Sequence, residues 1–108
     1  MKHGSGELQL PNGDHYEGYF EEDQYHRHGI YHYCQQGQEG VIICEIEYEG
    51  EWTKGQRSGQ GQLKYSTGAD FQGSFKNGHP HGMGILRIPM EEKARTVLTL
   101  AYYKPFFN

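Results

Sequence analysis

The chain has 108 residues, room for one domain, and a formal net charge of −4. Ten basic residues stand singly, which suits neither nucleic acid nor an anionic bilayer, because both are held by clustered Lys and Arg. Aliphatic content is low, yet nine Tyr, five Phe, one Trp and 16 Gly supply apolar area and a regular spacing that disordered chains lack.

Near the N-terminus, Gly4-Ser5-Gly6-Glu7-Leu8-Gln9-Leu10 leads into the turn Pro11-Asn12-Gly13. Met1-Lys2-His3 has no apolar run behind it of the kind a signal peptide carries. Tyr16-Glu17-Gly18-Tyr19-Phe20 then opens a unit whose key is found further on. Tyr48-Glu49-Gly50-Glu51-Trp52 recurs as Phe71-Gln72-Gly73-Ser74-Phe75, a shift of 71 − 48 = 23 residues. Gly55, Gly59 and Gly61 recur as Gly78, Gly82 and Gly84 at the same shift. A fixed period of this length marks a stacked array.

Each half-unit alternates with period two, the signal of a half-buried strand. Tyr48, Gly50 and Trp52 point one way; Glu47, Glu49 and Glu51 point the other and form a solvated face. Thr53-Lys54-Gly55 and Lys76-Asn77-Gly78 carry the turn chemistry of short hairpins. The ring-bearing face alternates bulky aromatics with bare backbone. A ring of one strand can therefore lie over a glycine of its neighbour, burying the ring and shielding the backbone.

The pattern Tyr48-Glu49-Gly50-Glu51-Trp52-x-x-Gly55-x-x-x-Gly59-x-Gly61, repeated from Phe71 to Gly84, resembles the MORN (membrane occupation and recognition nexus) repeat. The resemblance covers residues 3 to about 90. It implies an elongated sheet used as a scaffold, tether or regulatory segment without catalysis of its own. The expected fold is all-β: a single-layer antiparallel meander of repeated hairpins with a C-terminal capping segment. The array spans residues 1–90, with a partial unit at 3–15, units from 16, 48 and 71, and an insertion at about 34–47. Residues 91–108 form the capping segment.

The unit from Tyr16 departs from the pattern. Asp23 stands at the turn glycine and Arg27 at the first glycine of the pair, where a cation–π contact can replace ring-on-glycine packing. The spacing from Tyr16 to Tyr48 is 32, so 32 − 23 = 9 residues are inserted. With Gly37-Gln38-Glu39-Gly40 as a turn and Val41-Ile42-Ile43-Cys44 as an aliphatic run, the insertion reads as a longer, protruding hairpin. Uninterrupted alternation puts Cys34 and Cys44 on opposite faces, so two free thiols are expected. This agrees with a reducing, cytoplasmic location. At the C-terminus, Pro89-Met90-Glu91-Glu92-Lys93-Ala94 has helix-start features, Arg95–Tyr103 has those of a closing strand, and Pro105-Phe106-Phe107 is an apolar tail.

Chemistry is sparse. His26, His28 and His32 share a face, with His79 and His81 elsewhere, but a zinc site needs three or four convergent ligands. His3 and His81 occupy the slot before glycine where the MORN pattern itself carries His. No metal and no cofactor are expected. Ser5, Ser58, Ser66 and Ser74 sit at turns or repeat slots in an array too thin to enclose a pocket. Gly59-Gln60-Gly61 lacks the helix and the Gly-Lys-Ser/Thr of a phosphate loop.

The expected function is a non-catalytic protein-binding scaffold or structural adaptor. Its candidate binding rings are Tyr31, Tyr33, Tyr48, Trp52, Tyr65, Phe71 and Phe75. They would take an extended segment or helix, while the open sheet edge takes a larger assembly or a second copy. A cytoskeletal or ciliary setting is what the resemblance implies. The competing readings are a phospholipid-binding membrane tether and a regulatory segment of a larger enzyme.

Overall fold

The computed structural model describes residues 1–90 and 95–103, with side chains through Pro89. The expected helix start at 89–94 and the tail at 105–107 fall largely or wholly outside the described residues.

Eight strands follow one another: β1 (Gly4–Gln9), β2 (His15–Glu21), β3 (Gln24–Gln36), β4 (Ile42–Thr53), β5 (Gln56–Tyr65), β6 (Asp70–Lys76), β7 (His79–Met90) and β8 (Arg95–Tyr103). They form one antiparallel sheet in sequence order. The 15.3 Å radius of gyration exceeds the roughly 13 Å expected of a compact chain of this length. The meander read from the repeat is the fold found.

Turn chemistry sets the hairpins. Glu22-Asp23, Lys54-Gly55 and Asn77-Gly78 all have positive φ at both residues, the two-residue geometry that matches strand twist. Asp23 therefore adopts, at φ 67°, the conformation its glycine counterparts adopt at 84° and 86°. The N–H of Asp23, Gly55 and Gly78 donates to the carbonyl of Lys2, Tyr25 and Arg57, respectively, at 2.9–3.0 Å. Each of these three turns is thus tied to the preceding unit. Register slips after Gly18, Gly50 and Gly73, facing the positive-φ residues Arg27, Gly59 and Gly82. Arg27 takes its left-handed conformation as a non-glycine, and its guanidinium lies 4.8 Å from the Tyr19 ring centroid, the expected cation–π contact.

A row of glycines crosses the sheet: Gly6, Gly18, Gly29, Gly50, Gly61, Gly73 and Gly84 are cross-strand neighbours in turn. Tyr16 lies against Gly29, Tyr48 against Gly61 and Phe71 against Gly84, so close that a Cβ on any of these glycines would overlap the ring. Each ring covers the glycine of its own hairpin. The second ring of the units from Tyr16 and Tyr48 reaches back instead: Phe20 packs over Gly6, and Trp52 Nε1–H donates to the Gly29 carbonyl at 3.1 Å. Gly29 is held by Tyr16 and Trp52 together, which locks consecutive units in register.

The core is the resulting chain of edge-to-face rings. Phe20, Tyr16, Trp52, Tyr48, Phe75 and Phe71 follow one another with centroids 5.1, 5.7, 5.1, 5.1 and 6.0 Å apart. The first five are buried, each stabilising the sheet by about 2 kcal/mol plus roughly 0.5–1.5 kcal/mol per aromatic pair. No second layer is needed to bury them. Among the described residues no buried side-chain polar atom lacks a partner.

The insertion does form a protruding hairpin, turned by a short 3₁₀ segment at Gln38–Gly40. The expectation of two free thiols is overturned: Cys34 and Cys44 are disulfide-bonded. The cause is a slip between Tyr33 and Cys34. Tyr33 faces Ile46, yet Cys34 faces Cys44, so Glu45 is passed over. One skipped residue reverses the parity on which the free-thiol expectation rested.

Candidate functional site

The sheet has two chemically distinct faces. On the ring face, the seven candidate aromatics separate by depth. Tyr48 (0% exposed), Trp52 (4%) and Phe75 (3%) belong to the core. Tyr31, Tyr33, Tyr65 and Phe71 are half-buried and pack on that core with a solvent-facing side. Tyr33, Ile46 and Tyr65 are cross-strand neighbours, and they lie next to the Tyr31–Tyr48–Leu63–Phe71 row. The accessible rings therefore form a stripe across β3–β6. Tyr31 and Tyr33 lie in contact, with centroids 4.4 Å apart and ring planes tilted by 40°.

Several contributors were not singled out from sequence. Tyr25 stacks flat on Tyr16 at 4.0 Å, filling the slot that Arg57 fills in the next unit. Arg57 holds its guanidinium 5.5–5.8 Å from the centroids of Tyr33, Tyr48 and Phe75, and its Nη2 donates to the Gly78 carbonyl at 2.5 Å. The period itself signals both, since they share the tenth position of units that begin at Tyr16 and Tyr48.

Asp14 is the buried polar residue beneath this stripe, 8% exposed. Its carboxylate accepts from Tyr31 Oη at 2.7 Å and from the Cys34 N–H at 2.6 Å. Burial alone would raise its pKa, but the bonds from Tyr31 and Cys34, with Asn12 beside them, outweigh burial and hold it below the usual carboxylate range. This staple pins the β1–β2 turn to the slip at Cys34. Burial pushes the Tyr31 phenol well above its ordinary value, and the Asp14 carboxylate adds to that. Tyr16 and Tyr48, whose hydroxyls donate to the carbonyls of Tyr19 and Glu51 at 2.9 Å, are pushed up to about 12, chiefly by burial.

The opposite face is a lattice of imidazoles and carboxylates. His32 lies 3.5 Å from Glu17 and 3.6 Å from Glu47; His15, His26 and His28 approach Glu7, Glu21 and Glu49 at 3.6–3.8 Å. Lys64 pairs with Glu49 at 3.1 Å and Glu47 at 3.7 Å, and Arg87 with Asp70 at 2.7 Å. The histidines are spread over separate carboxylates, and among the described residues no three ligand groups converge to hold a metal. Ser5, Ser58, Ser66 and Ser74 lie on four different strands or turns. Among the described residues no helix is long and apolar enough to cross a membrane.

Curated relatives share this sequence pattern. The mouse and human proteins named Alsin are 34% identical over 85 residues, covering 79% of this chain and 5% of theirs. The human ALS2 C-terminal-like protein is 43% identical over 47 residues, covering 44% of this chain and 5% of its own. The chain thus spans about a twentieth of the length of these relatives. The MORN repeat family model matches residues 1–15, 16–38, 48–69 and 71–90, with unit starts at Tyr16, Tyr48 and Phe71 where the ring-on-glycine packing begins. The chain belongs to the MORN repeat family.

Proposed function

We propose that this chain is a non-catalytic scaffold or adaptor module that binds a polypeptide along the half-buried ring stripe. MORN repeats are generally binding modules, and the stripe supplies what a polypeptide partner uses. Tyr31, Tyr33 and Tyr65 offer apolar faces beside polar edges, Phe71 adds a wholly apolar ring, and all four pack against the core that holds Tyr48, Trp52 and Phe75. Rigid tyrosines contribute contact area at low entropic cost and anchor interfaces. The carrying observation is that these rings keep a free side while their neighbours already satisfy the core. The relatives, in which the matched segment is a small part of a long chain, suit a module that works within a larger assembly. A cytoplasmic setting at a cytoskeletal or ciliary structure is the context this reading carries.

A polypeptide is favoured over an anionic membrane by charge. The face opposite the rings carries Glu7, Glu17, Glu47 and Glu49, and the net charge is −4. The test compares wild type with Tyr33→Ala/Tyr65→Ala in pull-downs from extract and in sedimentation with phosphoinositide vesicles at physiological salt. Loss of captured protein in the double variant, with vesicles left unbound by both, is the expected result. Vesicle co-sedimentation that the double variant abolishes would instead establish the membrane-tether reading.

A further inference from the structure

We propose that the Cys34–Cys44 disulfide is a thiol–disulfide exchange site whose redox state sets the order of the protruding hairpin tip without disturbing the sheet. The site stands at the point where the sheet ends. β2 accompanies β3 only as far as His32, opposite His15, and β5 accompanies β4 only as far as Ile46, opposite Tyr65. Beyond these pairs, among the described residues, the two strands have no flanking strand. An isolated two-stranded hairpin is marginal in water, and this one consists of the pairs Cys34–Cys44, Gln35–Ile43 and Gln36–Ile42.

Two sets of contacts meet here, and they divide the molecule. On the sheet side, Cys34 N–H is held by the Asp14 carboxylate, which also holds Tyr31, and Ser66 N–H donates to the Glu45 carbonyl at 2.8 Å. Neither contact involves sulfur, so both survive reduction. On the tip side, Val41 (57% exposed), Ile42 (44%) and Ile43 (39%) are largely open to solvent. Their restraints include the turn bonds Gly37 N–H to Val41 O and Val41 N–H to Gln38 O, and the packing of Ile42 against Gly13 and of Ile43 against Gly37. The disulfide closes a loop of sequence separation 10 and is the strongest tie across the tip.

Access favours exchange at Cys44, which is exposed while Cys34 is half-buried. A thiolate of a dithiol reductant attacks Cys44 Sγ, the S–S bond breaks, and Cys34 leaves as a thiolate that takes a proton from water. The second thiol of the reductant then displaces Cys44 from the mixed disulfide. Two electrons and two protons pass to the protein, and the reductant ends as its own disulfide. A low-molecular-weight disulfide runs the sequence backwards.

The test is peptide-resolved hydrogen exchange on the whole chain with and without dithiothreitol, alongside alkylation of thiols under native conditions. Dithiothreitol alone should release two alkylatable thiols. It should speed exchange at residues 35–43 on the order of ten- to a hundredfold, as loss of a short closed loop implies, and leave residues 48–63 unchanged. Thiols that appear only in denaturant, unchanged exchange at 35–43, or acceleration through 48–63 would each overturn the proposal. The variant Cys34→Ser/Cys44→Ser should fold with the same Trp52 fluorescence and exchange at the reduced rate whatever the reductant. Failure to fold, or exchange at the oxidised rate, would likewise overturn it. Partner capture plays no part in either readout.

Discussion

Trp52 Nε1–H donates to the carbonyl of Gly29 at 3.1 Å, while Tyr16 lies across the same glycine. One residue without a side chain thus receives a ring from its own hairpin and a ring from the next. Trp52→Phe should keep the packing but lose the bond, costing about 1 kcal/mol. Trp52→Ala should cost about 3–5 kcal/mol, both read from urea unfolding midpoints.

Glycine substitutions should sort by what lies above them. Gly61→Ala forces a Cβ into the Tyr48 ring, and its cost should exceed about 2 kcal/mol, in the range for overpacking. Gly55→Ala meets open space but sits at φ 84°, so the cost should be about 1 kcal/mol. Gly6→Ala meets nothing nearer than 3.7 Å, without a positive φ. It should be neutral or stabilise by up to about 1 kcal/mol through the unfolded chain. The ordering Gly61, Gly55, Gly6 in thermal unfolding is the check, and a flat series would refute ring-on-glycine packing as the source of stability.

That packing was readable because it needs only residue type at fixed spacing, and a repeat displays the spacing several times over. What escaped was whatever occurs once. The slip beside Cys34 has no repeat counterpart, and the Asp14 staple that accompanies it arises where the third unit has Ala69. Period-two arithmetic carries a residue across a bulge onto the wrong face, so the disulfide was lost by one skipped residue, Glu45. The division of the rings into core and stripe was equally hidden. Alternation gives a face, not a depth, and Trp52 and Tyr33 share a face while differing in cover.

Acid stability should report Asp14. Its folded pKa lies below its ordinary value, so the unfolded chain binds the proton first. The contribution is therefore present above roughly pH 4 and is lost as pH falls through the folded value. Asp14→Asn should lower stability at neutral pH and flatten that acid limb in pH-dependent urea titrations. An unchanged acid limb would show that the staple does not govern it.

At the alkaline end the sign reverses. Tyr16 and Tyr48 ionise near 12 in the folded chain against 10 unfolded. Their contribution is complete below about pH 10 and disappears between 10 and 12, as the unfolded chain loses its protons first. Phe71 occupies the same slot without a hydroxyl, so the site tolerates the change. Tyr16→Phe/Tyr48→Phe should therefore fold, lose about 1 kcal/mol per missing hydrogen bond at neutral pH, and resist alkaline unfolding more than wild type does. Circular dichroism followed from pH 9 to 12 distinguishes these outcomes.

Arg27 tests how an array absorbs a departure from its own rule. Its left-handed backbone, φ 61°, costs about 1–2 kcal/mol relative to glycine, and the contact with Tyr19 returns about 0.5–1 kcal/mol. Arg27→Gly removes both and should leave stability within about 1 kcal/mol of wild type. Arg27→Ala keeps the backbone cost and forfeits the contact, so it should be the less stable variant by about 1 kcal/mol. In a Tyr19→Ala background the gap between Arg27 and Arg27→Ala should close, because the only favourable term separating them is gone. A gap that persists there would assign the stabilisation to something other than the Tyr19 ring.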